Sequence, residues 1–176
     1  ATLTAVDGKA LALRRWLPDG PPRAVIQVVH GMAEHSGRYE RFATAAAVAG
    51  FAVVADDHRG HGETSSLPEE RGYFADDHGW DTAVEDMHTV LKALREAHPG
   101  LPVFFLGHSM GSLLGRDFIT RYGQDLAGAD QGGGILGRQD EPAEQEGQHD
   151  AGDAGVQLEA AWGGGGEELR GGINKR

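Results

Sequence analysis

Val103–Gly111 reads VFFLGHSMG, and residues 112–121 continue SLLGRDFITR. Val103–Leu106 is a short, wholly apolar run with a β-branched start, as a strand buried on both faces should be. From Ser112 to Arg121, Leu113, Leu114, Phe118 and Ile119 recur at helical spacing. Between strand and helix lies Gly107-His108-Ser109-Met110-Gly111, a G-x-S-x-G pentapeptide. A serine at such a turn is held above the sheet edge with its hydroxyl exposed. The flanking glycines allow close backbone passage, and the helix N-terminus that follows favours negative charge.

The same alternation extends toward the N-terminus. Lys9–Trp16 (KALALRRW) reads as a partly alternating strand, and residues 18–22 (PDGPP) are turn chemistry. Ala24–Val29 (AVIQVV) and Phe51–Ala55 (FAVVA) are two further buried strands. Arg38–Ala49 is an Ala-rich helix stopped by Gly50, and residues 56–79 form a long polar loop. Trp80, Val84, Met87, Leu91 and Leu94 mark one apolar face of a helix that runs to about Ala97, before Pro99-Gly100. Strands alternating with helices at this spacing predict βαβ units and a mostly parallel sheet with helices on both faces. Ligands of such sheets sit at the carboxyl ends of the strands, here after Val29, Ala55 and Leu106.

His30-Gly31-Met32 follows Val29. An acyl-transfer serine needs two backbone donors for its oxyanion. One is the N–H of the residue after the nucleophile, Met110. The other is expected at Met32, in the loop after the Ala24–Val29 strand. Asp56-Asp57-His58-Arg59-Gly60-His61-Gly62 follows Ala55. Metal ligands, an acid–base pair and a structured turn all fit that composition. The order nucleophile, acid, histidine disfavours a triad role, because these residues precede Ser109. No matching third ligand is evident, so no metal is expected.

Composition excludes several classes. The chain of 176 residues has a net charge of −11, which argues against nucleic acid. It has no cysteine, so a disulfide scaffold, a thiolate metal site and a cysteine nucleophile are excluded. No apolar run approaches the roughly 18 residues of a transmembrane segment. Residues 1–17 lack the basic-then-apolar pattern of a secretory signal, so a cytoplasmic location is expected.

The chain divides into unlike pieces, residues 1–127 and 128–176. Fourteen of the 28 glycines fall in the second piece, which holds only six Val, Ile, Leu, Met or Phe residues and carries ten acids against four bases. Such a segment cannot bury enough apolar area to offset its ordering entropy, and it is expected to be largely irregular, with at most a short helix around Val156–Trp162. Its Gly, Ala, Glu, Asp, Gln and Arg bias is that of GC-rich codons read out of frame. A frameshift near Ala129 is therefore expected, with a true truncation the alternative. Either way, the nucleophile strand is expected to leave an unpaired sheet edge.

HGMAEHSGRY at 30–39, DDHRGHGETS at 56–65 and GHSMG at 107–111 together resemble the monoacylglycerol lipase and lysophospholipase branch of the α/β-hydrolases. Glu34, His35, Arg38 and Tyr39 fit its first motif. Asp57, Arg59, Gly60, His61 and Gly62 fit the second, and residues 107–111 the third. The resemblance covers about residues 5–127 and implies an α/β-hydrolase-type sheet, truncated after the nucleophile helix. It implies a serine esterase with Ser109 as nucleophile, the Met32 and Met110 N–H groups as oxyanion hole, no cofactor, and a small lipid-like ester as substrate. Some relatives of that branch cleave peptides with a free N-terminus, and a catalytically inactive fragment is a further alternative. His30, Gly31, Gly107, His108 and Gly111 support the motifs. The acid and histidine of the resembling family follow later strands, as does its lid, so both triad partners stay unassigned. Asp130 or Asp140 followed by His149 preserves the order, but neither acid is expected to follow a strand.

Overall fold

A computed structural model describes residues 1–65 and 67–130 and the backbone of 135–136. Ala1–Pro142 forms one compact unit that holds every element below, while Ala143–Arg176 lies outside the described residues, as do Asp140, His149 and the expected Val156–Trp162 helix. The elements are β1 (Thr2–Thr4), β2 (Ala10–Trp16), β3 (Ala24–Val29), α1 (Glu40–Val48), β4 (Phe51–Asp56), α2 (Gly79–Ala97), β5 (Val103–Gly107), α3 (Met110–Tyr122), β6 (Gly128–Asp130) and β7 (Ile135–Leu136). They build one sheet in the order β1-β2-β4-β3-β5-β6-β7. Strands β4, β3, β5 and β6 are mutually parallel, while β1, β2 and β7 pair antiparallel at the two edges.

Strand β3 is the pivot. From it the chain crosses to β4 on one side and then, through α2, to β5 on the other. The carboxyl ends of β3 and its neighbours therefore flank a topological switch, the position at which open α/β sheets bind ligands. Alternation along β3 sorts its side chains. Ala24, Ile26 and Val28 pack with Ala43 and Ala46 of α1 on one face. Val25 and Val29 pack with α2 and α3 on the other. Gln27 shares that second face, fully buried, and its Nε2 donates to the Met87 carbonyl 3.0 Å away. The expected helices on both faces are thus present.

Several details depart from the sequence reading. The sheet gains β1, whose three residues pair with Ala10–Ala12 of β2. The expected free edge at β5 is covered. Phe104, Phe105 and Leu106 pair in parallel with Gly128, Ala129 and Asp130, three residues past the expected boundary, and β6 in turn pairs with β7. The tripeptide Gly-Ala-Asp has no strand propensity of its own. It is drawn into register because Leu126 plugs the core and the Ala127 N–H donates to the Val103 carbonyl at 2.8 Å. Trp80 does not join the buried face of α2. It is 42% exposed and its indole N–H donates to Asp117, while Ala83 and Val90 complete the stripe. Helix α1 begins at Glu40, after a 3₁₀ turn over Ser36–Tyr39. Helix α3 begins at Met110, directly after Ser109.

Inside the long loop after β4, Arg59 is the organising side chain. Its Nε and Nη2 donate to Asp86 of α2 at 2.6 and 2.9 Å, and its Nη1 donates to Asp7 at 2.8 Å. The guanidinium and Asp86 are almost fully buried, while Asp7 is about half exposed. Removing one partner of a buried ion pair costs roughly 3–5 kcal/mol, because the other charge is left without compensation. Asp86→Ala is therefore expected to destabilise the fold by about 3 kcal/mol. Asp7→Ala is expected to cost about 1 kcal/mol or less, as an exposed partner does. Urea unfolding midpoints of the two variants check the difference, and equal shifts would contradict it.

Candidate active site

Ser109 stands at the strand-to-helix junction with φ 53° and ψ −118°, a conformation that L-residues rarely adopt. Such strain persists only where the surroundings over-determine it. Here the His108 N–H donates to the Val29 carbonyl, and the Gly111 and Ser112 N–H groups donate back to the His108 and Ser109 carbonyls. Gly111 passes so close to β3 that an added Cβ would lie 2.2 Å from the Val29 carbonyl oxygen. The result is an exposed serine fixed above the sheet, as the sequence predicts.

The loop after β3 meets it. A Cβ at Gly31 would lie 3.1 Å from the Ser109 Cβ, so Gly31 packs directly against the serine. The Gly31 N–H is occupied, donating to Glu34 Oε1 at 2.5 Å. Among the described residues, the N–H groups of Met32 and Met110 meet no acceptor. Two donors are thus unused, one on the residue after Ser109 and one on the residue after Gly31. The Met32 side chain is 71% exposed, and Leu113, one turn into α3, is also exposed.

Glu34 is the residue whose role composition and motif did not reveal. Ala33 adopts φ 57°, and this left-handed step folds the carboxylate back onto its own loop. Besides Gly31, Glu34 Oε1 accepts from the Tyr39 hydroxyl at 2.8 Å and lies 3.1 Å from His108 Nδ1, next to Ser109. One carboxylate oxygen therefore ties the loop after β3 to the turn that carries Ser109. Burial pushes the Glu34 carboxyl up, but these three donors outweigh it and hold it below its ordinary value. Its place in the first motif marked Glu34 in the sequence, but not the hydrogen bonds it makes.

The Asp-Asp-His-Arg-Gly-His segment resolves into a structured turn. Asp57 accepts from the Ser36 N–H and hydroxyl and from the Glu63 N–H, at 2.6–2.7 Å, and pins the loop after β3 to the loop after β4. His58 Nδ1 lies 2.7 Å from Asp56 Oδ2, both fully buried. Among the described residues, no three His, Asp or Glu side chains converge as a metal site would require. His30 is fully buried and stacks on His58 with ring centroids 4.0 Å apart.

Burial is the main cause that depresses His30, assisted by the His58 charge, from 6.5 to about 4. The unfolded chain protonates this ring near pH 6.5, and the folded chain only near 4. Between those values the folded state binds fewer protons, so stability is lost as pH falls through the window. At about 1.4 kcal/mol per unit the loss approaches 3 kcal/mol. His58 works in the opposite sense. Burial lowers it, but Asp56 beside it prevails and raises it, so its contribution is lost on raising the pH. Urea midpoints measured between pH 7 and 4.5 are expected to fall steeply in the unaltered chain, and less so in His30→Asn. Parallel curves would contradict the assignment.

No described side chain hydrogen-bonds the Ser109 hydroxyl. Asp130, expected to follow no strand, in fact closes β6 and pairs with Leu106, one strand over from the strand that leads into Ser109. Asp140 and His149 lie outside the described residues.

A family profile described as serine aminopeptidase S33 (Hydrolase_4) matches residues 20–130. The chain is 42% identical over 112 residues to a monoglyceride lipase of Homo sapiens, covering 64% of this chain and 35% of that protein. It is 37% identical over 121 residues to a monoacylglycerol lipase of Mycolicibacterium smegmatis, covering 69% and 41%. In structure it is similar to a thermostable carboxyl esterase from Bacillus coagulans solved with glycerol, with TM-score 0.68 and 38% identity over 73% of this chain and 42% of that one. The chain thus spans well under half the length of these relatives. With residues 20–130 matched and the strand–serine–helix turn in place, the chain belongs to the serine aminopeptidase S33 family of hydrolases.

Proposed function

We propose that the chain carries the nucleophile-bearing part of a serine carboxylic-ester hydrolase acting on monoacyl lipid esters. The observation that carries this reading is Ser109, held exposed at φ 53° on a strand-to-helix turn; the unused Met32 and Met110 N–H groups support it. In the first step Ser109 Oγ forms a bond to the ester carbonyl carbon, and its proton leaves to a base. The carbonyl oxygen takes up the displaced electron pair as an oxyanion held by the Met32 and Met110 N–H groups. Collapse expels the alcohol, which takes up the proton, and water then releases the acid by the same route. The apolar surface at Met32 and Leu113 suits an acyl chain better than a charged substrate. The two lipase relatives and the esterase complex support the same substrate class.

A second reading is favoured by one observation. Among the described residues no imidazole reaches Ser109 Oγ, so a chain that binds the ester without turning it over is the alternative. Hydrolysis of a monoacylglycerol, a short-chain chromogenic ester and an aminoacyl anilide separates these cases. Ester turnover that depends on Ser109, with the anilide untouched, is the expected result. Anilide cleavage would favour an aminopeptidase. Binding of the monoacylglycerol without turnover would favour the inactive chain.

A further inference from the structure

The His30 ring makes two hydrogen bonds, and both partners have fixed roles. Its Nδ1 lies 2.7 Å from the Gly31 carbonyl oxygen, which can only accept. Its Nε2 lies 3.0 Å from the His58 backbone N–H, which can only donate. Both contacts hold in one form alone: a neutral imidazole with its proton on Nδ1 and a bare Nε2. The ring is also gripped on its faces, by His58 at 4.0 Å and by His61 at 5.2 Å between centroids. Asp56 holds His58 in turn. None of these groups touches the serine.

The consequence lies in the backbone. The Gly31 carbonyl and the Met32 N–H belong to one trans peptide unit, so they are coplanar and point in opposite directions. Fixing the carbonyl fixes the N–H. The Gly31 N–H on the other side is separately held by Glu34. Gly31 lacks a side chain to limit its torsions, and its ψ would otherwise let this peptide plane rotate.

We propose that His30 is a positioning residue for the oxyanion hole: by clamping the Gly31 carbonyl through Nδ1–H, it sets the direction of the Met32 N–H. This rests on the reading of Met32 as an oxyanion donor. A satisfied core histidine with no such role would hold the fold equally well, and the two differ in what substitution does to Met32.

His30→Asn keeps an amide donor at the place of Nδ1. His30→Gln puts its amide at the place of Nε2 and leaves the Gly31 carbonyl without a donor. Three measurements apply to the full chain. Nitrogen-15 NMR of the unaltered chain is expected to show His30 with a proton on Nδ1 and none on Nε2. The residual dipolar coupling of the Met32 N–H is expected to change in His30→Gln and to return toward its original value in His30→Asn. Ser109-dependent ester turnover is expected to fall in His30→Gln by roughly 10-fold to 100-fold in kcat at little change in KM, below the 100-fold to 1,000-fold of a lost oxyanion donor. His30→Asn should recover most of that loss. A proton on Nε2, or a Met32 coupling indifferent to His30→Gln, overturns the proposal. If His30→Gln does not fold, the tautomer and the His30→Asn coupling decide. If the coupling responds as expected while the unaltered chain shows no Ser109-dependent turnover, the positioning stands and the esterase reading fails.

Discussion

Ser109→Ala is expected to remove ester turnover while leaving the fold intact. Complete serine triads lose about a million-fold in kcat when the serine is removed. No described residue supplies the base for Ser109, so the loss expected here is smaller, roughly 1,000-fold or more over whatever rate the unaltered chain shows. The exposed hydroxyl makes no hydrogen bond among the described residues, so its removal breaks no contact. Unfolding of Ser109→Ala should therefore match that of the unaltered chain within about 0.5 kcal/mol. Ser109→Gly separates the chemistry from the strain. Glycine adopts φ 53° without the Cβ penalty, so it should be equally inactive yet more stable by about 1 kcal/mol. A Ser109→Ala variant that retains turnover would contradict the proposed nucleophile, and a Ser109→Gly variant less stable than Ser109→Ala would contradict the strain at this turn.

Gly111→Ala is expected to be the most destabilising single methyl group at this site. The new Cβ would lie 2.2 Å from the Val29 carbonyl oxygen and 2.7 Å from that of His30. Both are backbone atoms at the end of the central strand, and neither can swing aside as a flexible side chain would. The Val29 carbonyl already accepts the His108 N–H at 3.1 Å, and Val29 pairs with Gly107. Relief requires α3 to move away from β3, which separates Ser109 from the loop after β3. Overpacking of this kind costs about 3 kcal/mol or more when the neighbours cannot yield. That corresponds to a fall in Tm of roughly 10 °C. Leu113→Ala, on the exposed side of the same helix, should cost under about 0.5 kcal/mol. Thermal melts of the two variants check the contrast, and equal Tm values would contradict it.

Much of this arrangement was legible in the sequence. Strands β3, β4 and β5 announce themselves because strands buried on both faces must be continuous apolar runs. The GHSMG turn is legible because backbone passage demands its glycines at fixed spacing. The failures share a cause, since each depends on contacts distant in sequence. Gly128–Asp130 becomes a strand only because β5 offers an open edge and Leu126 anchors the approach. Thr2–Thr4 is too short to show a pattern without its partner β2. Trp80 fits the apolar period of α2 but leaves the core to reach Asp117 on α3. At the site, the exposed, strained turn at Ser109 was legible from the motif. The roles of Glu34 and His30 were not, because both act through the backbone of the loop that carries them.

That Ser109 is the nucleophile is tested most directly by a fluorophosphonate that reports covalent attack without requiring turnover. The full chain would be incubated with the reagent, digested and mapped by mass spectrometry, with Ser109→Ala alongside. The expected result is one phosphonyl adduct, on Ser109, absent from the variant. A folded chain that acquires no adduct at Ser109, or an equal adduct in the variant, would contradict the assignment of this serine as the nucleophile.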